Sequence, residues 1–153
     1  MSTRWQRLRE RLINFYPPLF GAGIRTRRID ERTIFVEMKL TAFNKNIVGT
    51  HFGGSLYAMC DPWRMLILMR LLGNGYIVWD KAASIQFLQP GRGKVTATFH
   101  IPQERVDEIR AAADGGKKVE PTFTVDVVDE QSQVIAKVEK LLYVRKKNGQ
   151  SSA

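Results

Sequence analysis

Phe52-Gly53-Gly54-Ser55-Leu56-Tyr57-Ala58-Met59-Cys60-Asp61-Pro62-Trp63-Arg64-Met65-Leu66-Ile67-Leu68-Met69-Arg70-Leu71-Leu72 is the stretch on which the fold turns. From Gly54 to Leu72 apolar side chains fall on nearly every helical face, which for a helix means burial on all sides. Gly73 and Gly75 then supply a stop. Asp61, Arg64, Arg70 and Pro62 make the window a poor bilayer span, because about twenty apolar residues are needed to cross. The stretch reads as a buried central helix that other elements must wrap.

Outward from it, strand patterns appear on both sides. Ile24 to Ile29 and Thr33 to Leu40 predict a hairpin turning at Asp30, Glu31 and Arg32, with Ile34, Val36, Met38 and Leu40 alternating against Phe35, Glu37 and Lys39. A polar loop, Thr41 to His51, leads into the glycine pair. After the helix come Tyr76 to Gln89, the turn Pro90-Gly91-Arg92-Gly93, and Lys94 to Ile101, punctuated like a hairpin. Residues 102 to 113 read as a short crossover helix. Pro121 to Val128 and Gln133 to Arg145 make a long hairpin through Asp129-Glu130-Gln131-Ser132. At the N-terminus Trp5, Leu8, Leu12, Phe15 and Tyr16 recur at helical spacing, predicting an amphipathic helix over 4 to 16 stopped by Pro17 and Pro18. The sum is an α+β fold in one domain, 1–153: five or six mostly antiparallel strands curved around one long central helix. Residues 1–18 form the N-terminal helix and 146–153 a frayed polar tail.

Composition narrows the function classes. The 153 residues are 44% hydrophobic and 25% charged, ordinary for a globular domain that needs no disulfide or metal to stand. A single cysteine, Cys60, and two histidines, His51 and His100, argue against a disulfide scaffold and against metal chemistry. The N-terminal segment is broken by Arg9, Glu10, Arg11 and the prolines, so it lacks a signal-peptide core and a cytoplasmic location is expected. Lys and Arg number 24 against 15 Asp and Glu, a net charge of +9 that favours an anionic partner.

The chemistry gathers around the glycine pair. A carboxylate in an all-buried helix costs several kcal/mol unless it is paired or neutralised, so Asp61 is either functional or an N-cap before a Pro at the first helical position. Gly53-Gly54 opens the helix and would let a substrate approach backbone N–H groups at the positive end of the helix dipole, the arrangement of an oxyanion hole. A rise of about 1.5 Å per residue would put Asp61 roughly 12 Å from Gly53. One chain cannot then hold the whole site, and two antiparallel helices about a two-fold axis would make two composite sites in a homodimer.

The run Asn46 to Asp61, with Val78-Trp79-Asp80-Lys81 and Ile85-Gln86-Phe87-Leu88-Gln89-Pro90-Gly91, resembles the hot-dog-fold thioesterase superfamily. It is most similar to phenylacetyl-CoA thioesterase-like members and to a branch with an added N-terminal helix. The resemblance covers about residues 23 to 145. Asp61 stands seven residues after Gly54, and Asn46 seven before Gly53. The resemblance implies Asp61 as the catalytic carboxylate, Gly53 as the oxyanion donor and Asn46 as orienting water or substrate. It also places a polar residue at Asp80 or Lys81. The family's His-Gly-Gly reads His51-Phe52-Gly53-Gly54 here, so Phe52 stands where the histidine would.

The implied function is hydrolysis of an acyl-CoA or related thioester by a homodimer, with pairing into tetramers left open and no cofactor beyond the coenzyme A of the substrate. Gly54, His51, Asp80, Lys81, Arg92 and Lys94 are the candidate substrate contacts, the last two meeting phosphates. Asp80 and Lys81 also read as a structural ion pair. Two rivals remain: an acyl-CoA or fatty-acyl binding protein of the same fold without turnover, and a basic module whose Arg-rich first helix lies on a membrane or nucleic acid. Neither nucleic acid nor membrane contact is the leading expectation. Cys60 and the Ser55, His51, Asp61 set match no nucleophile spacing, and Pro90-Gly91-Arg92-Gly93 lacks the ending of a P-loop. The Met and Trp side chains of the helix read as core or acyl-tunnel lining.

Overall fold

The computed structural model describes residues 13–147. Six strands form one sheet: β1 Ile24–Arg28, β2 Thr33–Lys39, β3 Tyr76–Phe87, β4 Lys94–His100, β5 Thr122–Val128 and β6 Val134–Lys146. Among the described residues four α-helices accompany them: α1 Pro17–Gly21, α2 Gly53–Ala58, α3 Trp63–Leu72 and α4 Gln103–Asp114. Every strand pair is antiparallel, and the order across the sheet is β1-β2-β4-β5-β6-β3. The sheet curls around the helical segment 53–72.

The alternating pattern does what it predicts. Ile34, Val36 and Met38 of β2 pair in register with Phe99, Ala97 and Val95 of β4, and all six side chains are buried. Trp63, Ile67, Leu68 and Leu72 of α3 fill the space over them, with the Trp63 and Phe99 rings 6.5 Å apart. Gly73 ends α3 at φ 84°, a conformation glycine adopts without strain, and Arg110 of α4 donates to the last carbonyls, Leu71 and Leu72.

Several expectations are corrected. The central helix is interrupted: α2 ends at Ala58 and α3 begins at Trp63, because Pro62 has no N–H to continue the ladder. The Trp63 indole N–H satisfies the Met59 carbonyl left open by the break, at 2.7 Å. Burial on all sides also fails, since Met69 is exposed and Tyr57, Met65, Leu66 and Leu71 are half-buried. Pro17 and Pro18 open α1, where proline's fixed φ suits the first turn. Ile13–Phe15 is a short 3₁₀ turn, and the rest of the predicted first helix, with Trp5, Leu8 and Leu12, lies outside the described residues. Phe15 and Tyr16 are exposed.

Pro90-Gly91-Arg92-Gly93 is not a hairpin turn. β3 occupies the far edge of the sheet and β4 the middle, so the segment is a crossover. Its carbonyls are held from elsewhere: Gly91 accepts from the His51 backbone N–H and Gly93 from that of Leu40. The β4–β5 ladder is a single pairing, Thr96 with Val128. Where those strands part, the buried Arg64 guanidinium donates to the His100 carbonyl and, at 2.9 Å, to that of Thr124, while facing the Phe99 and Phe123 rings.

Candidate active site

Asp61 lies in the break between α2 and α3, and the break decides its role. The N-cap position of α3 belongs to Pro62, with no side-chain cap, so the N-cap reading of Asp61 is corrected. Its carboxylate turns instead to the sheet, where Oδ1 accepts from the Tyr57 hydroxyl at 2.7 Å and from Lys140 Nζ at 2.8 Å. The side chain is 46% exposed and lines an apolar cavity of about 710 Å³, framed by Ile13, Phe15, Tyr16, Leu19 and Tyr57.

Lys140 was not among the residues singled out from sequence. It is 1% exposed, and its ammonium has three partners for its three N–H donors: Asp61 Oδ1, Asp80 Oδ2 at 3.1 Å and Tyr57 Oη at 3.2 Å. The signal was present in the period-2 stripe Ala136, Val138, Lys140, Leu142, Val144, four buried apolar residues and one lysine on the inner face of β6. A charge on such a stripe needs partners or moves its pKa.

Burial would raise the Asp61 carboxyl, but the hydrogen bonds from Lys140 and Tyr57 outweigh it and hold Asp61 below its ordinary value. Asp80 goes the other way: burial, more than its bond to Lys140 offsets, lifts it above the usual range. Its Oδ1 is buried without a hydrogen-bond partner among the described residues. Burial would lower Lys140, and its two carboxylates and Tyr57 together raise it instead. Burial and the neighbouring Asp61 raise the Tyr57 hydroxyl. The Cys60 thiol, fully buried, is pushed up to about 12 and is no nucleophile.

The Asp80-Lys81 pair does not close on itself, which corrects that expectation. A register shift on β3 between Asp80 and Ala82 separates the two: Asp80 meets Lys140 while Lys81 pairs with Glu120 at 2.7 Å.

Gly53 and Gly54 form the first turn of α2, after Phe52 at its N-cap. A Cβ on Gly53 would sit 2.9 Å from the Phe87 ring, and one on Gly54 would sit 2.4 Å from the Phe52 ring. Two aromatic rings rest against this backbone. Gly53 lines a second cavity, of about 390 Å³, with Asn46, His51, Phe87 and Gly91. The two cavities share no lining residue, so the Gly53 end and the Asp61 end of the predicted site are separate in one chain.

Asn46 is committed to its own loop. Its Oδ1 accepts from the backbone N–H groups of Val48 and Thr50, and its Nδ2 donates to Thr50 Oγ1 and the His51 carbonyl. That shapes the approach to Gly53. His51 is buried, with Nε2 2.8 Å from the Gly93 carbonyl, so it ties the crossover to this loop. Burial lowers its pKa, with the Gly93 bond working against that. Arg92 is exposed on the crossover and Lys94 begins β4, both next to the Gly53 cavity in the chain. Among the described residues no helix is long and apolar enough to cross a membrane.

Residues 6–144 match the family model described as a domain of unknown function, DUF4442. No curated protein matches the chain in sequence. Solved structures match over nearly the full length. A Pseudomonas aeruginosa protein of unknown function, PA5026, a probable thioesterase, aligns at TM-score 0.83 and 19% identity over 92% of this chain and 95% of its own. Thioesterase HI1161 from Haemophilus influenzae aligns at 0.65 and 17%, over 90% of each chain. The E. coli PaaI protein from the phenylacetic acid degradation operon aligns at 0.64 and 21%, over 97% and 96%. At such identities the likeness carries the architecture, an antiparallel sheet curled around a helical segment. The chain belongs to the DUF4442 family and has the hot-dog fold of thioesterase-like proteins.

Proposed function

We propose that the protein hydrolyses an acyl-CoA or a closely related acyl thioester, with Asp61 as the reacting carboxylate. The observation that carries this is Asp61 itself: an ionised carboxylate with one oxygen clamped by two donors, in the wall of an apolar cavity. Thioesterase HI1161 and the probable thioesterase PA5026 share the fold, which makes thioester chemistry the first to test.

A carboxylate held below its ordinary pKa is a poor proton acceptor but stays ionised. That favours direct attack over general-base activation of water. Asp61 Oδ2 bonds to the thioester carbon, the C–S bond breaks and the thiolate leaves. Water then cleaves the anhydride to free acid and restored aspartate, and its second proton goes to the departed thiolate to give the free thiol.

The Gly53 N–H of a second copy would receive the developing oxyanion. The separate cavities support this shared site, and so does the 12-residue edge strand β3, which no strand among the described residues pairs on its outer side. Ile47, Val48, Phe52, Phe87 and Leu88 are large exposed apolar side chains on the segments around that edge, suited to cover by another copy. Arg92 and Lys94 would meet the phosphates of the carrier nucleotide.

The test is release of free thiol from a panel of acyl-CoAs by the native protein and by Asp61→Asn. Turnover abolished in the variant supports the reading, and equal rates remove Asp61 from the mechanism. The ion pair that weakens Asp61 as a base favours one rival, binding without turnover. Tight acyl-CoA binding with no thiol release over hours would establish that rival.

A further inference from the structure

The Asp61 cluster holds more than the proposed reaction uses. Two carboxylates, Asp61 from the helix break and Asp80 from β3, share one ammonium, Lys140 of β6, and the Tyr57 hydroxyl of α2 bonds to both Asp61 and Lys140. The donors are distributed unevenly over Asp61. Oδ1 accepts both the Tyr57 O–H and the Lys140 N–H, and none of the described hydrogen bonds reaches Oδ2. The ammonium cannot follow Asp61 outward, because Asp80 holds it on the other side and its stem is sealed between Val138 and Leu142.

Resting on the reading of Asp61 as the reacting group, we propose that Lys140 is the positioning residue of the site. With Tyr57 it clamps Oδ1 so that Asp61 stays ionised and presents Oδ2 to the cavity, and Asp80 is the anchor that fixes the ammonium. The bulge at Asp80 and Ala82 gives Asp80 this duty while its neighbour Lys81 leaves for Glu120. Among the described residues three other ionisable groups lie near the cluster: Tyr16 on the cavity wall, Cys60, uncharged because its thiol is pushed to about 12, and Arg64, whose two terminal nitrogens donate to the His100 and Thr124 carbonyls. None substitutes for Lys140.

The clamp makes an unusual pair of expectations. Lys140→Met keeps the stem and removes the charge, so the Asp61 carboxyl titrates at higher pH than in the native protein. Asp80→Asn removes the competing carboxylate and leaves the ammonium to Asp61, so the same carboxyl titrates at lower pH. Carboxyl ¹³C NMR on the full chain labelled at aspartate, with the Asp61 signal assigned by its loss in Asp61→Asn, reads both. A purely structural role for Lys140 does not produce shifts of opposite sign. In the acyl-CoA assay Lys140→Met lowers kcat by about tenfold or more, the scale of a misplaced reacting group, with KM changed far less. Lys140→Arg, which keeps the charge, recovers part of it.

Shifts of the same sign, or an Asp61 titration unmoved in both variants, overturn the clamp even if the native enzyme is active. Opposite shifts in a protein that releases no thiol from any acyl-CoA leave the clamp standing and remove the hydrolase reading. If Lys140→Met does not fold, Asp80→Asn alone decides: an Asp61 titration moved to lower pH supports the clamp, and one unmoved or raised ends it.

Discussion

Replacing Gly54 by alanine separates two reasons for a glycine at that position. An alanine Cβ would lie 2.4 Å from Phe52 Cε1 and 3.0 Å from Cζ, closer than atoms approach, so the ring must swing away. Phe52 is 57% exposed, and a phenylalanine fully covered buries about 200 Å². The covered share is therefore about 90 Å², or about 2 kcal/mol at ~25 cal/mol per Å². Losing half to all of that contact costs about 1 to 2 kcal/mol, against a gain of about 0.5 to 1 kcal/mol for alanine over glycine in a helix. Gly54→Ala should destabilise the native protein by up to about 1.5 kcal/mol and stabilise a Phe52→Ala background by about 0.5 to 1 kcal/mol. Urea unfolding followed by tryptophan fluorescence measures the four corners of this cycle. A stabilising Gly54→Ala in the native background, or the same change in both, would refute the packing argument. Thiol release by the same four proteins shows the other reason: a stable but inactive double variant would mean that substrate, as well as Phe52, needs the bare backbone.

Other consequences are quicker to check. Arg64→Met leaves the His100 and Thr124 carbonyls without their donor where the β4–β5 ladder is open, and should cost about 2 to 4 kcal/mol in urea unfolding. Because burial holds His51 below its ordinary 6.5, the unfolded chain takes up that proton first on acidification, and stability is lost as pH falls below about 6.5 toward the folded value. His51→Gln should remove that part of the slope of urea midpoint against pH. Cys60, buried with its thiol near 12, should resist an aromatic disulfide reagent at pH 8 in the native protein and react fully in urea.

Much of this fold is legible because its elements carry local signals. The alternation of Ile34, Val36 and Met38 announces β2, and Gly73 stops α3 where the apolar run ends. Strand order is less legible, since turn chemistry reports where a chain bends and not which strand receives it. Pro90-Gly91-Arg92-Gly93 has hairpin composition yet carries the chain from the sheet edge to its middle. Pro62 explains the break once the two helices are seen, but the effect of the break on Asp61 depends on Lys140, 79 residues away. Period-2 reading of β6 marks Lys140 as buried. Naming its partners requires the pairing of β6 with β3, which brings Asp80 to the same face. The glycine pair is the converse case: the residues open a helix as expected, but what the structure sets against their bare backbone is two phenylalanine rings.

On the proposed mechanism one thioester lies between Asp61 of one copy and Gly53 of another, and a crystal structure with a non-hydrolysable acyl-CoA analogue would show its place. The carbonyl oxygen is expected at about 2.7 to 3.1 Å from Gly53 N of one chain and the carbonyl carbon at about 3 to 3.5 Å from Asp61 Oδ2 of its partner. A thioester bound away from Asp61, or one reached by Asp61 and Gly53 of the same chain, would contradict it.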